Sequence, residues 1–279
     1  DGLEDLGNGL CDLRKLKKLT LGFENTRGVG DRGVESLANG IAELPSLQSI
    51  FLDFSSCSDV TDKGVEALTA ALPMGLTELR LDCGRCSVTD DALDAVATAI
   101  SQRVSLRELR LDVGGCKEVS DDGLLAVASA VESLPKLSSV HISVGYCSTV
   151  TDMGLLEVAT ALGKLPLLQS IAIDTHNCTA VSDRSVDKLA VALDSCVMLR
   201  DVHMNFFGTK VTDEYESIDS VAALQAARAI PAMQGDRHDD LLALTEQLMG
   251  LLQEGRAFAG ALRNCGRADV PFPPVSVAS

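Results

Sequence analysis

The sequence predicts an α/β solenoid, with parallel strands lining a concave face and helices on the convex side, and three observations predict it. Five cysteines, Cys57, Cys86, Cys116, Cys147 and Cys178, recur at spacings of 29, 30, 31 and 31. Each lies five residues after an apolar strand residue (Leu52, Leu81, Leu111, Ile142 and Ile173) and is soon followed by Val-Thr-Asp or Val-Ser-Asp. A pattern Leu-x-x-Leu-x-Leu, with Ile, Val or Met admitted at the later positions, begins at Leu16, Leu47, Leu76, Leu106, Leu137, Leu168 and Leu199. Self-similarity at such a period marks units that bury their apolar faces only against their neighbours.

The elements follow in chain order. Gly2–Leu13 aligns, at an offset of 31, with Gly33–Leu44, so residues 1–15 read as the helix of a partial unit whose strand and cap would lie upstream. Seven units then start near residues 16, 47, 76, 106, 137, 168 and 199 and carry the solenoid to residue 230. In each, the alternation seen in Ile50-Phe-Leu52 is that of a short strand with one face buried. A turn holding the ladder cysteine comes next, with Thr26 and Thr209 at that position in the terminal units. A small side chain with a donor suits a buried turn whose carbonyls need partners.

Thr61, Thr89, Ser120, Thr151, Ser182 and Thr212 stand where a hydroxyl caps a helix. The aspartates that follow them, Asp62, Asp90, Asp121, Asp152, Asp183 and Asp213, suit the positive end of the helix dipole. The small column Gly33, Gly64, Ala92, Gly123, Gly154 and Ser185 reads as a close approach between helix and neighbouring turn. Val65, Leu68, Ala71 and Leu72 then fall on one helical face. Past the solenoid, residues 231–263 read as a polar linker and a helix with Leu241, Leu244, Leu248, Leu251, Leu252 and Phe258 as its stripe, a C-terminal cap or else a docking helix. Residues 264–279 read as an extended Pro-rich tail, disordered when free, with a docking peptide as the alternative.

Composition narrows the function classes. Of 279 residues 46% are hydrophobic but 3% aromatic, and Trp is absent, which suits an Ala/Leu/Val core. A net charge of −16 opposes nonspecific nucleic-acid binding. No run is long and apolar enough to span a membrane, and no secretory signal opens the chain. Nine cysteines, an odd number, fit reduced thiols in an intracellular compartment.

The chemistry-bearing motifs resolve mostly into columns. Cys83-Gly-Arg-Cys86 has no second pair at zinc-site spacing, and Cys83 falls on the inward position of Phe54, Val113 and Val144. Gly28-Val-Gly30-Asp-Arg-Gly33 replaces the turn and cap of its unit and is no phosphate loop. His141 and His203 sit two units apart on the outward column, without a recurring nucleophile or carboxylate to make a catalytic set. No catalytic, cofactor or metal residue is therefore assigned. The concave face carries Phe51, Arg80, Arg110, His141 and His203 beside a column of Asp53, Asp82 and Asp112. Arg80 with Asp82, and Arg110 with Asp112, are read either as self-paired charges or as parts of a mixed-charge docking surface with Phe51 as its anchor.

These units resemble the leucine-rich repeat family, in particular its longer ribonuclease-inhibitor-like repeats and the cysteine-containing repeats common in F-box proteins. The resemblance covers residues 2–230, and the ladder cysteine sits farther past the strand than is usual in the cysteine-containing class. It implies a right-handed horseshoe. It also implies a non-enzymatic scaffold for protein partners, as an accessory or recognition subunit of a larger assembly. The alternatives are a substrate-recognition subunit of a ubiquitin ligase with an F-box upstream, and a leucine-rich-repeat GTPase-activating protein. The latter calls for an acidic C-terminal extension, whereas this tail is Pro-rich and nearly uncharged.

Overall fold

The computed structural model describes residues 2–212 and 215–228. The helix and tail expected in 231–263 and 264–279 lie outside the described residues. A first helix, α1 (Gly2–Leu10), is followed by six strand–helix pairs: β1 (Lys18–Gly22) and α2 (Asp31–Ala42), β2 (Ser49–Asp53) and α3 (Asp62–Ala70), β3 (Glu78–Asp82) and α4 (Asp90–Ser101), β4 (Glu108–Asp112) and α5 (Asp121–Glu132), β5 (Ser139–Ser143) and α6 (Asp152–Gly163), β6 (Ser170–Asp174) and α7 (Asp183–Leu193). Then come β7 (Asp201–Asn205), β8 (Ser217–Ile218) and α8 (Val221–Arg228).

Strands β1 to β7 pair in chain order, all parallel, with every unit in the same register: Leu19, Ile50, Leu79, Leu109, Val140, Ile171 and Val202 lie side by side. That column and the next inward one, from Leu52 to Met204, are buried and face the helices. Stacked strands lie ~4.8 Å apart whereas packed helices need ~8–10 Å, so the sheet takes the concave side. One addition escaped the sequence reading. β8 runs antiparallel to β7 (Met204 opposite Ile218) and covers the last strand's edge.

The turn after each strand is a repeated device. Its first amide extends the parallel ladder, as when the Phe54 N–H donates to the Asp82 carbonyl at 2.8 Å. The residue before the ladder position takes a left-handed conformation in every unit: Asn25, Ser56, Arg85, Gly115, Tyr146, Asn177 and Gly208. That reversal aims the next side chain inward. The thiols of Cys57, Cys86, Cys116, Cys147 and Cys178 each donate to a carbonyl of the preceding unit, at 3.1–3.2 Å. Thr26 is exposed and donates to the Glu24 carbonyl at 3.4 Å, and Thr209 donates to Phe206, each within its own turn.

The aspartates at the helix starts do more than face a dipole. Asp31, Asp62, Asp90, Asp121, Asp152 and Asp183 each accept from the backbone N–H and the hydroxyl of the next unit's cap residue: Thr61, Thr89, Ser120, Thr151, Ser182 and Thr212, at 2.6–3.0 Å. The small column is set by this clamp. A Cβ on Gly64, Gly123 or Gly154 would run into the clamping carboxylate, so the close approach is to the preceding helix start and not to a turn.

Unit length also leaves a mark. α3 is three residues shorter than α4, and a groove lined by Glu66, Asp94 and Arg103 lies between them. Arg103 occupies the position held by Leu44, Leu134 and Leu165 in other units. Its guanidinium donates to the carbonyls of Leu72 and Ala99 at two chain turns, where helix C-terminal oxygens favour a cation.

Candidate docking face

Strand alternation puts the first, third and fifth residues of each strand on the open side of the sheet. The third-position column runs Thr20, Phe51, Arg80, Arg110, His141, Ala172 and His203, and the fifth runs Gly22, Asp53, Asp82, Asp112, Ser143, Asp174 and Asn205. The sequence-derived residues therefore share one face in two neighbouring rows. His141 and His203 are separated by the Ala172 strand, so the histidines do not meet. Phe51 is half-buried, not an exposed anchor.

The expected self-pairing is corrected by the geometry. Arg80 reaches diagonally to Glu108 at 2.7 Å and not to Asp82. Among the described residues no cation lies within ion-pair distance of Asp82 or Asp112. The aspartates instead close their own turns: one oxygen of Asp53, Asp82, Asp112 and Asp174 accepts the amide of Ser55, Gly84, Gly114 and His176, at 2.9–3.1 Å. His203 approaches Asp219 at 3.5 Å. Burial lowers the His141 pKa, and the Arg110 charge adds to that.

Sequence reasoning missed His176. Its Nδ1 lies 2.7 Å from Asp174, and its ring meets Tyr146 edge-on at 4.7 Å. The signal was the column itself, since Gly84, Gly114 and Gly145 hold the same position in the units before it. Their missing side chains leave a groove of about 250 Å³ along the strand ends, lined by Asp82, Asp112, Ser143, Tyr146, Asp174 and His176 among others.

Burial, then the neighbouring Asp112 and Asp53 charges, push the Asp82 carboxyl up to about 6, against the Gly84 amide and Arg110. A carboxyl whose folded-state pKa is raised adds stability below its unfolded value, 3.8, and that stability is lost as pH rises through about 6. Asp82→Asn keeps an acceptor for Gly84 and removes the charge. It is expected to raise unfolding free energy by about 1 kcal/mol near pH 7.5, discounted for partial exposure, and by nothing near pH 4. Denaturant titration of both proteins at the two pH values checks this.

Burial is the first cause for four of the ladder thiols: it raises Cys57 and pushes Cys116 and Cys147 up to about 12 and Cys178 to about 11. Cys86 departs from this, lowered first by its hydrogen bond with the Cys83 thiol. All eight cysteines among the described residues are free. No group of metal-ligand type gathers among the described residues, and no described helix is long and apolar enough to cross a membrane.

Comparison with known proteins places this geometry. A family model described as leucine rich repeat matches residues 51–68 and 109–128. Both stretches run from a strand through the cysteine turn into a helix. No curated protein matches the chain. Among solved structures, the tropomodulin C-terminal domain of Caenorhabditis elegans is 16% identical with a TM-score of 0.43, covering 59% of this chain and 93% of that one. Actin-binding site 2 of leiomodin-1 is 11% identical with a TM-score of 0.40, covering 69% and 86%. Rad7 in its yeast complex with Elc1 gives 15% identity and a TM-score of 0.30, over 83% and 75%. With one register repeated through seven parallel strands and the family model falling on two of its units, the chain has the architecture of a leucine-rich repeat solenoid.

Proposed function

We propose that this chain is a non-enzymatic protein-interaction scaffold, an accessory or recognition subunit of a larger assembly, that engages its partner through the concave sheet. The contrast between the two sides of the strands carries the reading. Inward columns repeat Leu, Ile and Val, while the open third column changes from Phe51 to Arg80, Arg110, His141, Ala172 and His203 on the same rigid spacing. Aromatic and Arg side chains on a preorganised surface are the groups that dominate protein interfaces. Leucine-rich repeats serve chiefly as protein-interaction modules.

The test is affinity capture from the native source with quantitative mass spectrometry, comparing the wild-type chain with Arg80→Glu/Arg110→Glu. The single ion pair broken, Arg80 with Glu108, is partly exposed, so the fold is expected to tolerate the change at a cost of about 1 kcal/mol. Stoichiometric partners are expected on the wild type and reduced at least about tenfold on the variant. Unchanged retention would move the docking site off the sheet and toward residues 241–279.

A further inference from the structure

We propose that the groove along the ends of β3 to β6 is a subsite for an extended basic segment, an Arg- or Lys-bearing peptide of the protein partner, seated between the aspartate row and the Tyr146 wall. This rests on the scaffold reading above and assigns the part of the face where the partner's charge enters. The floor is Gly84, Gly114 and Gly145, where the sheet face carries no side chain. Four carboxylates, from Glu24, Asp82, Asp112 and Asp174, line the groove against one guanidinium, Arg85. Only one oxygen each of Asp82 and Asp112 is used by its turn.

Ser143 adds an independent sign of a ligand. It continues the aspartate row on the open face of β5, lines the groove, and is 4% exposed as a residue, and its hydroxyl makes no hydrogen bond to the described residues while keeping contact with the groove's solvent. A hydroxyl held in the groove with no protein partner is free to bond a ligand. A guanidinium or ammonium N–H supplies the donor that it lacks. Tyr146, 53% exposed and braced edge-on against His176, offers a ring face to the same cation.

From Asp82 to Asp174 the row spans three strand steps, about 14 Å, which matches four to five extended residues with alternate side chains pointing into the groove. The charge of the chain favours this occupant over others. At −16, a second copy, a nucleic acid or an anionic membrane is repelled.

The probe is a fluorescein-labelled peptide, acetyl-Arg-Gly-Arg-Gly-Arg-amide, titrated with the full chain by anisotropy at low salt. Asp82→Asn/Asp112→Asn keeps the turn acceptors and is expected to loosen Kd at least about tenfold. Ser143→Ala is expected to loosen it about threefold. Asp91→Asn/Asp122→Asn, on exposed helical positions, removes the same net charge and is expected to stay within about twofold. Equal loosening by both Asp pairs, or unchanged binding in the groove variants, overturns the proposal. So does spermidine binding as tightly as the peptide, which would make the groove a polyamine site. If the wild type does not bind the probe while the capture experiment still returns partners lost on Arg80→Glu/Arg110→Glu, the groove inference fails and the scaffold reading stands. Absence of partners as well would sink both.

Discussion

Asp121→Ala is expected to lower unfolding free energy by about 2–4 kcal/mol. The carboxylate accepts the Thr151 N–H at 2.8 Å and the Thr151 hydroxyl at 2.6 Å, thirty residues away along the chain. Hydrogen bonds to a charged group contribute about 1.5–3 kcal/mol each, and truncation also leaves a partly buried amide unpaired. Asp121→Asn retains one acceptor oxygen and is expected to lose about half as much. Because the clamp joins adjacent units, Asp121→Ala and Thr151→Ala should be strongly sub-additive in a double-mutant cycle. Full additivity, or a loss under about 0.5 kcal/mol, would show that units are held by strand and helix packing alone.

Cys116→Leu is expected to cost about 2–4 kcal/mol, with Cys116→Ser costing less than about 1.5. Cys116 is 0% exposed, its thiol donates to the Cys83 carbonyl at 3.2 Å, and its own carbonyl accepts from Cys147. Serine preserves the size and the donor. Leucine adds volume to a closed turn and removes one of the two hydrogen bonds on the Cys83 carbonyl, which keeps only the Cys86 N–H. Thermal and denaturant unfolding of both variants would separate these costs, and a fully stable Cys116→Leu would defeat the idea that the ladder is a hydrogen-bonded column.

Local periodicity made the strands, helices and cap residues legible. Leu47-x-x-Ile50-x-Leu52 declares a strand, and Thr61 before Asp62 declares a helix start, because both signals lie within one unit. Partners one unit away were harder to see. Asp62 was assigned to its own helix dipole, although its oxygens hold Thr89 of the following unit. The clue was present, since each unit after the first supplies a hydroxyl residue immediately before its aspartate.

The site was legible as a face but not as a set of contacts. Placing Arg80 and Asp82 on one strand suggested a pair, yet alternate residues on a strand point the same way, and the diagonal position across the ladder brought Glu108 to Arg80. The groove is built from residues that look unremarkable in sequence: three glycines, Ser143, and a tyrosine in a left-handed turn. β8, two residues long, has no period to read.

Hydrogen exchange on the captured complex, compared with the free chain, tests the central claim most directly. The account predicts slowed exchange in the turns after β3 to β5, residues 83–86, 113–116 and 144–147, with α4 to α6 unchanged. Protection confined to the helical side, with those turns exchanging as in the free chain, would contradict it.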